Sequence, residues 1–144
     1  TSKSWKNIEL TDVKSGQSFK ISDFKGRPIL LESFAVWCPT CKKQQDEIKK
    51  LHKKIGDAVV SVSIDTDPEE DKRRVLQHIE RNDFDWRFAV DKSGFAQQLV
   101  DEFGTNVVNA PSAPIVLIDK DQNARLLKFG VKSAKELEKE IDKE

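Results

Sequence analysis

The chain has 144 residues, with 25 basic and 25 acidic side chains that cancel, 37% hydrophobic residues and 35% charged ones. That length suits one domain that buries a core without disulfide staples, and the neutral balance offers no electrostatic footprint for nucleic acid or an anionic membrane surface. No apolar run approaches the roughly 18–20 residues that a membrane span needs.

The N-terminal stretch Trp5 to Ile21 alternates loosely around a turn at Lys14-Ser15-Gly16-Gln17, the pattern of a short β-hairpin. Gly26-Arg27-Pro28 then punctuates the chain before Ile29-Leu30-Leu31-Glu32-Ser33-Phe34, which reads as a strand buried on both faces. From Pro39 to Ile55 the period becomes helical, with Cys41, Ile48, Leu51 and Ile55 on one stripe, and Gly56 closes the helix. Ala58 to Ile64 is a second apolar, β-branched strand ending in Asp65. Asp67-Pro68-Glu69-Glu70 supplies a cap, an early proline and acids for the start of the next helix, whose apolar face is Val75, Leu76 and Ile79.

Trp86 to Val90 reads as a short strand, and Gly94 to Phe103 as a helix closed by Gly104. Ile115 to Ile118 is an apolar strand, Asp119 to Asn123 a turn, and Arg125 to Phe129 the returning partner strand. Ser133-Ala134-Lys135-Glu136 is a capping box for a helix through Ile141. The order β-β-β-α-β-α-β-α-β-β-α, with no repeat or linker, predicts a single α/β domain over residues 1–144. Its central mixed β-sheet carries helices on both faces. The chain starts at Thr1 and contains no methionine. That suggests a trimmed chain or a processed precursor that has lost an export signal or anchor.

The two cysteines, Cys38 and Cys41, stand three positions apart. A disulfide closing so small a loop adds little stability, so the pair serves chemistry or a ligand. Cys38-Pro39-Thr40-Cys41 lies where a buried strand passes into a helix. At a helix N-terminus a thiol faces unpaired backbone N–H groups and the positive end of the dipole, which favours the attacking thiolate. Cys38 is therefore the expected nucleophile. Cys41, one turn on and less exposed, is placed to resolve a mixed disulfide. Pro39 fixes the helix start without costing a hydrogen bond. Glu32, a lone carboxylate within an apolar strand, is expected to be desolvated with a raised pKa, which suits a general base for Cys41; the alternative is an edge position with Glu32 in solvent.

The segment Phe34-Ala35-Val36-Trp37-Cys38-Pro39-Thr40-Cys41-Lys42 resembles the active-site segment of the thioredoxin superfamily. The N-terminal hairpin, the central strand–helix insertion around Asp67 to Phe103, and Phe24-Lys25-Gly26-Arg27-Pro28 are most similar to the TlpA/ResA-like branch and its AhpC/TSA–Redoxin-like relatives. The resemblance implies a thioredoxin-like fold and a thiol–disulfide oxidoreductase that exchanges a Cys38–Cys41 dithiol with partner proteins, acting as a reductant. It implies protein thiol or disulfide substrates, an upstream electron donor, no cofactor, and an extracytoplasmic location, with the cytoplasm as the alternative. Glu32 falls six positions before Cys38, where thioredoxins carry a buried acid, usually Asp. The family's cis-proline facing the cysteine pair maps to Pro114 or Pro111, and counting back from the Asp119 turn favours Pro114. Ala113 would then offer its backbone to an extended substrate, beside contacts from Trp37, Pro39 and Thr40.

Three rival readings follow from the same residues. Lys42 and Lys43 could hold the thiolate by charge, or form an ordinary solvated helix face. A thiol peroxidase would need a proline and a threonine upstream of the reactive cysteine, and Ser33 to Trp37 supplies neither. A metal-binding or chaperone module would use the cysteines as ligands, but His52 and His78 share no motif with them, so no metal is expected.

Overall fold

The computed structural model describes residues 4–144, so the first three residues of the expected 1–144 domain lie outside the described residues. Its elements are strands β1 (Leu10–Thr11), β2 (Ser18–Phe19) and β3 (Ile29–Phe34), helix α1 (Pro39–Ile55), β4 (Val60–Asp65), α2 (Lys72–Asn82), β5 (Arg87–Val90), α3 (Phe95–Phe103), β6 (Ile115–Ile118), β7 (Ala124–Leu126) and α4 (Ala134–Asp142). This is the order expected from the sequence. Five strands form one mixed sheet, β5-β4-β3-β6-β7, in which β3 runs parallel to β4 and antiparallel to β6.

All six residues of β3 are buried, as its central position requires. Ile29 and Leu31 pack with Phe95 and Leu99 of α3 on one face, while Leu30 meets Ile48 and Leu51 of α1 and Leu137 of α4 on the other. Fully burying each such aliphatic or aromatic side chain is worth about 1.5–3 kcal/mol. In β4 the alternation is sharper: Val60, Val62 and Ile64 join the α3 side, and Ser61, Ser63 and Asp65 are buried on the side of α1 and α2. The register sets Glu32 opposite Ser63 and Phe34 opposite Asp65, so two carboxylates share one covered face.

The hairpin pairs only two residues on each strand. It lies against the edge strand β5, where Val13 N–H donates to Phe88 O at 2.9 Å and Asp12 Oδ1 accepts from Phe88 N–H at 3.2 Å. An otherwise open sheet edge is covered in this way.

Two boundaries differ from the sequence reading. Helix α2 begins at Lys72, capped by Asp71 through Arg74 N–H at 3.0 Å, and not at Asp67. The reason is Glu70, which turns inward so that its Oε1 accepts Val36 N–H at 2.7 Å; Asp67 to Glu70 becomes the turn that delivers it. Strand β7 ends at Leu126, short of Phe129. Gly130, at φ +92°, bends the loop that follows, and its carbonyl turns to the Lys132 ammonium. The expected capping box of α4 is present, with Ser133 Oγ accepting Glu136 N–H and Glu136 Oε1 accepting Ser133 N–H, both at 3.1 Å.

Candidate active site

Cys38 is the N-cap of α1. Its Sγ accepts the Cys41 N–H at 3.1 Å, the place that a Ser or Asp oxygen fills in most helices. Pro39 follows at the first turn, where its missing N–H leaves nothing unpaired. The sulfur read from the sequence as the nucleophile therefore receives one of the helix's orphan donors. Both cysteines are free thiols, and both are buried at 1% exposure, so Cys38 is no more open than Cys41. Trp37, 55% exposed, lies beside the pair, and its indole N–H donates to Asp67 Oδ2 at 2.6 Å. Pro39 is exposed and Thr40 half-buried.

Cys41 Sγ donates to Ala110 O at 3.3 Å. Burial pushes the Cys41 thiol far above its ordinary value, and the negative charge of Glu32 pushes it the same way. A group so placed ionises only when a nearby base takes its proton.

Glu32 is 0% exposed, which removes the solvent-edge alternative. Its Oε1 accepts two hydrogen bonds, from Ser63 Oγ at 2.7 Å and from Gln45 Nε2 at 2.9 Å. Its Oε2 is buried with no partner among the described residues. Desolvation raises the carboxyl to about 7, against the lowering effect of Ser63, Gln45 and the Lys132 charge. One oxygen is pinned and the other is open, on a group that titrates near neutrality. That is a proton acceptor set for pH 7.

The region opposite the cysteines departs from the sequence reading. The bonds before Pro111 and Pro114 are both trans, because no peptide bond among the described residues is cis. The reversal into β6 is made instead by Ala113, which adopts the left-handed conformation at φ 49°. Ala113 and Pro114 are buried, the Ala113 N–H donates to Ala110 O, and the Ala113 carbonyl accepts from Lys132 Nζ. The Ala113 backbone is thus engaged within the chain and closed to an extended substrate. The exposed proline on this turn is Pro111, beside the Ala110 carbonyl that meets Cys41.

Lys42 pairs with Asp46 at 2.8 Å on the outer face of α1, and Lys43 is exposed. His78 meets Gln45 Oε1 at 2.6 Å and His52 meets Ser61 Oγ at 2.7 Å. Among the described residues no cluster of three or more His, Cys, Asp or Glu is placed to hold a metal.

Four participants escaped the sequence reading. Gln44 and Gln45 are buried and stand three and four positions after Cys41, on the same helical stripe; that spacing was the available signal. Lys132 and Glu70 carried no local signal, because Glu70 turns inward to the Val36 N–H 34 positions back, and Lys132 is held by Gln44 and Ala113 from distant segments as well as by carbonyls of its own loop.

The Redoxin family model matches residues 2–143 of this chain. The thioredoxin-like protein YneN of Bacillus subtilis is 26% identical over 129 residues, a match covering 89% of this chain and 71% of that protein. The thiol-disulfide oxidoreductase ResA of Bacillus thuringiensis subsp. konkukian is 29% identical over 115 residues, covering 80% of this chain and 61% of that protein. Among solved structures, a secreted Mycobacterium tuberculosis disulfide oxidoreductase homologous to E. coli DsbE superposes with a TM-score of 0.77 at 16% identity, covering 99% of this chain and 100% of that one. The exposed lipoprotein thioredoxin Etrx1 of Streptococcus pneumoniae does so with a TM-score of 0.72 at 21% identity, covering 95% of this chain and 98% of that one. These two superpositions show a shared fold.

Proposed function

The chain belongs to the Redoxin family, and from that membership we propose that it is a thiol–disulfide oxidoreductase that reduces disulfides of partner proteins through Cys38 and Cys41. The observation that carries the reading is Cys38 Sγ at the α1 N-cap together with the buried Glu32 carboxyl, whose charge acts on Cys41 and whose Oε2 has no partner among the described residues. The Cys38 thiolate attacks one sulfur of the partner disulfide, that S–S bond breaks, and the first partner thiolate leaves. Glu32 takes the Cys41 proton, and the Cys41 thiolate attacks Cys38 Sγ. The mixed disulfide breaks, the second partner thiolate leaves, and a Cys38–Cys41 disulfide forms. Two electrons pass to the partner, and an upstream dithiol donor restores the pair.

The names of the YneN and ResA relatives support this activity. An extracytoplasmic site of action is supported by the secreted and lipoprotein neighbours in structure. No helix among the described residues is long and apolar enough to cross a membrane. A peroxidase reading finds no upstream proline and threonine to support it. A metal-ligand reading would need histidines that face other partners.

The test is insulin disulfide reduction with dithiothreitol as donor. Cys38→Ser should lower the rate to background, a loss of more than about 100-fold, and activity surviving that change refutes the proposal. A redox-buffer titration of the pair then fixes the direction of flow: a potential near about −270 mV fits a reductant, and one near about −120 mV an oxidant.

A further inference from the structure

Lys132 is 1% exposed, in the loop between β7 and α4. Its backbone is clamped to α1, because its N–H donates to Gln44 Oε1 at 2.8 Å and its carbonyl accepts Gln44 Nε2 at 2.9 Å. Gln44 is three residues past Cys41. The Lys132 Nζ donates to three carbonyls: Ala113 at 2.8 Å, Lys128 at 2.8 Å and Gly130 at 2.6 Å. An ammonium has three N–H groups and a neutral amine two, so this cradle selects the charged form.

The cradle leads to the reacting atoms by two routes. Ala113 ends the turn that begins at Ala110, whose carbonyl meets Cys41 Sγ, and Gly130 N–H holds Ser112 O of the same turn at 2.8 Å. The positive charge also acts on Glu32, where it favours the carboxylate. Burying a lysine is costly, and a methionine of similar length would fill the space without that cost.

We propose that Lys132 is a positioning residue for the resolving step: its ammonium holds the Ala110–Ala113 turn against Cys41 and supplies the charge that keeps Glu32 able to accept the Cys41 proton. The proposal rests on the oxidoreductase reading and assigns a further residue to it. The charged and titratable groups facing Lys132 are Glu32 from β3, Glu136 from α4 and Lys128 from its own loop. Burial lowers Lys132 to about 8, while Glu32 lies at about 7. The anion and the cation coexist most fully between those values. The resolving rate should therefore rise as Glu32 ionises and fall as Lys132 loses its proton.

The reduced protein, mixed with dithionitrobenzoate in a stopped-flow instrument, reports both steps. The first nitrothiobenzoate is released when Cys38 attacks and the second when Cys41 resolves. Lys132→Met should slow the second phase about tenfold and move its rising limb upward by about half a pH unit or more. The first phase should stay within about twofold, and Lys132→Arg should return the limb towards its original position. A folded Lys132→Met protein whose pH profile superimposes on the parent overturns the proposal.

If Lys132→Met fails to fold, ¹³C NMR of the unmodified protein decides. The Glu32 carboxyl carbon should show a second inflection where the Lys132 side chain titrates, and a single inflection overturns the proposal. A parent protein with no second phase at all would refute the oxidoreductase reading instead. The NMR coupling would still judge Lys132.

Discussion

Strands β3 and β4 each place one carboxylate on the same buried face of the sheet, yet the two acids have opposite surroundings. Glu32 is met by donors: Ser63 and Gln45 on one oxygen, with the Lys132 charge behind. Asp65 is met by another acid, because Glu70 lies against it; its one backbone donor is the Asp67 N–H at 2.9 Å. Desolvation raises both groups, Glu32 to about 7 and Asp65 to about 8. For Glu32 the neighbours then favour the anion, whereas for Asp65 the Glu70 carboxyl adds to the rise. Glu32 is thus poised to exchange a proton, and Asp65 retains one beside the Glu70 carboxyl. Glu70 in turn ties the Val36 backbone, beside Cys38, to the entry of α2. A raised acid is catalytic only where its neighbours leave the proton free to move.

Removing the exchangeable proton should have the largest effect. Glu32→Gln keeps the acceptors for Ser63 and Gln45 and removes the base, so the resolving phase should slow by about 10- to 100-fold. A rate within twofold of the parent would reduce Glu32 to a packing role. The same change should alter stability with a definite sign. Because the folded-state value lies above the ordinary 4.5, the folded chain keeps a proton that the unfolded chain has lost between pH 4.5 and about 7. Stability therefore falls through that window, by an amount on the order of 3 kcal/mol. Urea titrations at pH 5 and pH 8 should show a smaller difference for Glu32→Gln than for the parent.

Asp65→Asn sharpens the contrast from the other side. A carboxamide fills the same space and stays neutral beside Glu70, as the protonated Asp65 does, so turnover should stay within about twofold. Asp65 also holds a proton in the folded state that it loses on unfolding, so its share of the stability lost between its ordinary 3.8 and about 8 should disappear. Thermal melts across that range would show it. If Asp65→Asn slows the resolving phase as much as Glu32→Gln, the distinction between the two acids fails.

The smallest effect belongs to the lysine next to Cys41 in sequence. Lys42 and Asp46 are 46% and 39% exposed, and such pairs contribute about 0–1 kcal/mol. Lys42→Ala should leave insulin reduction unchanged and shift the melting temperature by at most a few degrees; a clear loss of rate would restore Lys42 to the site.

The sequence by itself determined the order of elements and the N-cap position of Cys38, the proposed nucleophile, because both follow from interactions a few residues long. Apolar periodicity set β3, β4, β6 and the inner stripe of α1. Gly56 and Gly104 ended helices, Ser133 and Glu136 began one, and Cys38 fell at an N-cap because Pro39 starts a helix there. Glu32 was legible as a carboxylate within an apolar run. Its environment was decided by tertiary structure alone, since Ser63 is 31 positions away and reaches Glu32 only through the β3–β4 register. The start of α2 moved because Glu70 found the Val36 N–H 34 positions back. Pro114 proved trans because Ala113, held by Lys132 from 19 positions on, makes the reversal itself. Gln44 and Lys132, 88 positions apart, show the physical reason most plainly. Caps and stripes are written in neighbouring residues, whereas desolvation and the choice of partner for a buried polar group exist only once distant segments have closed around it.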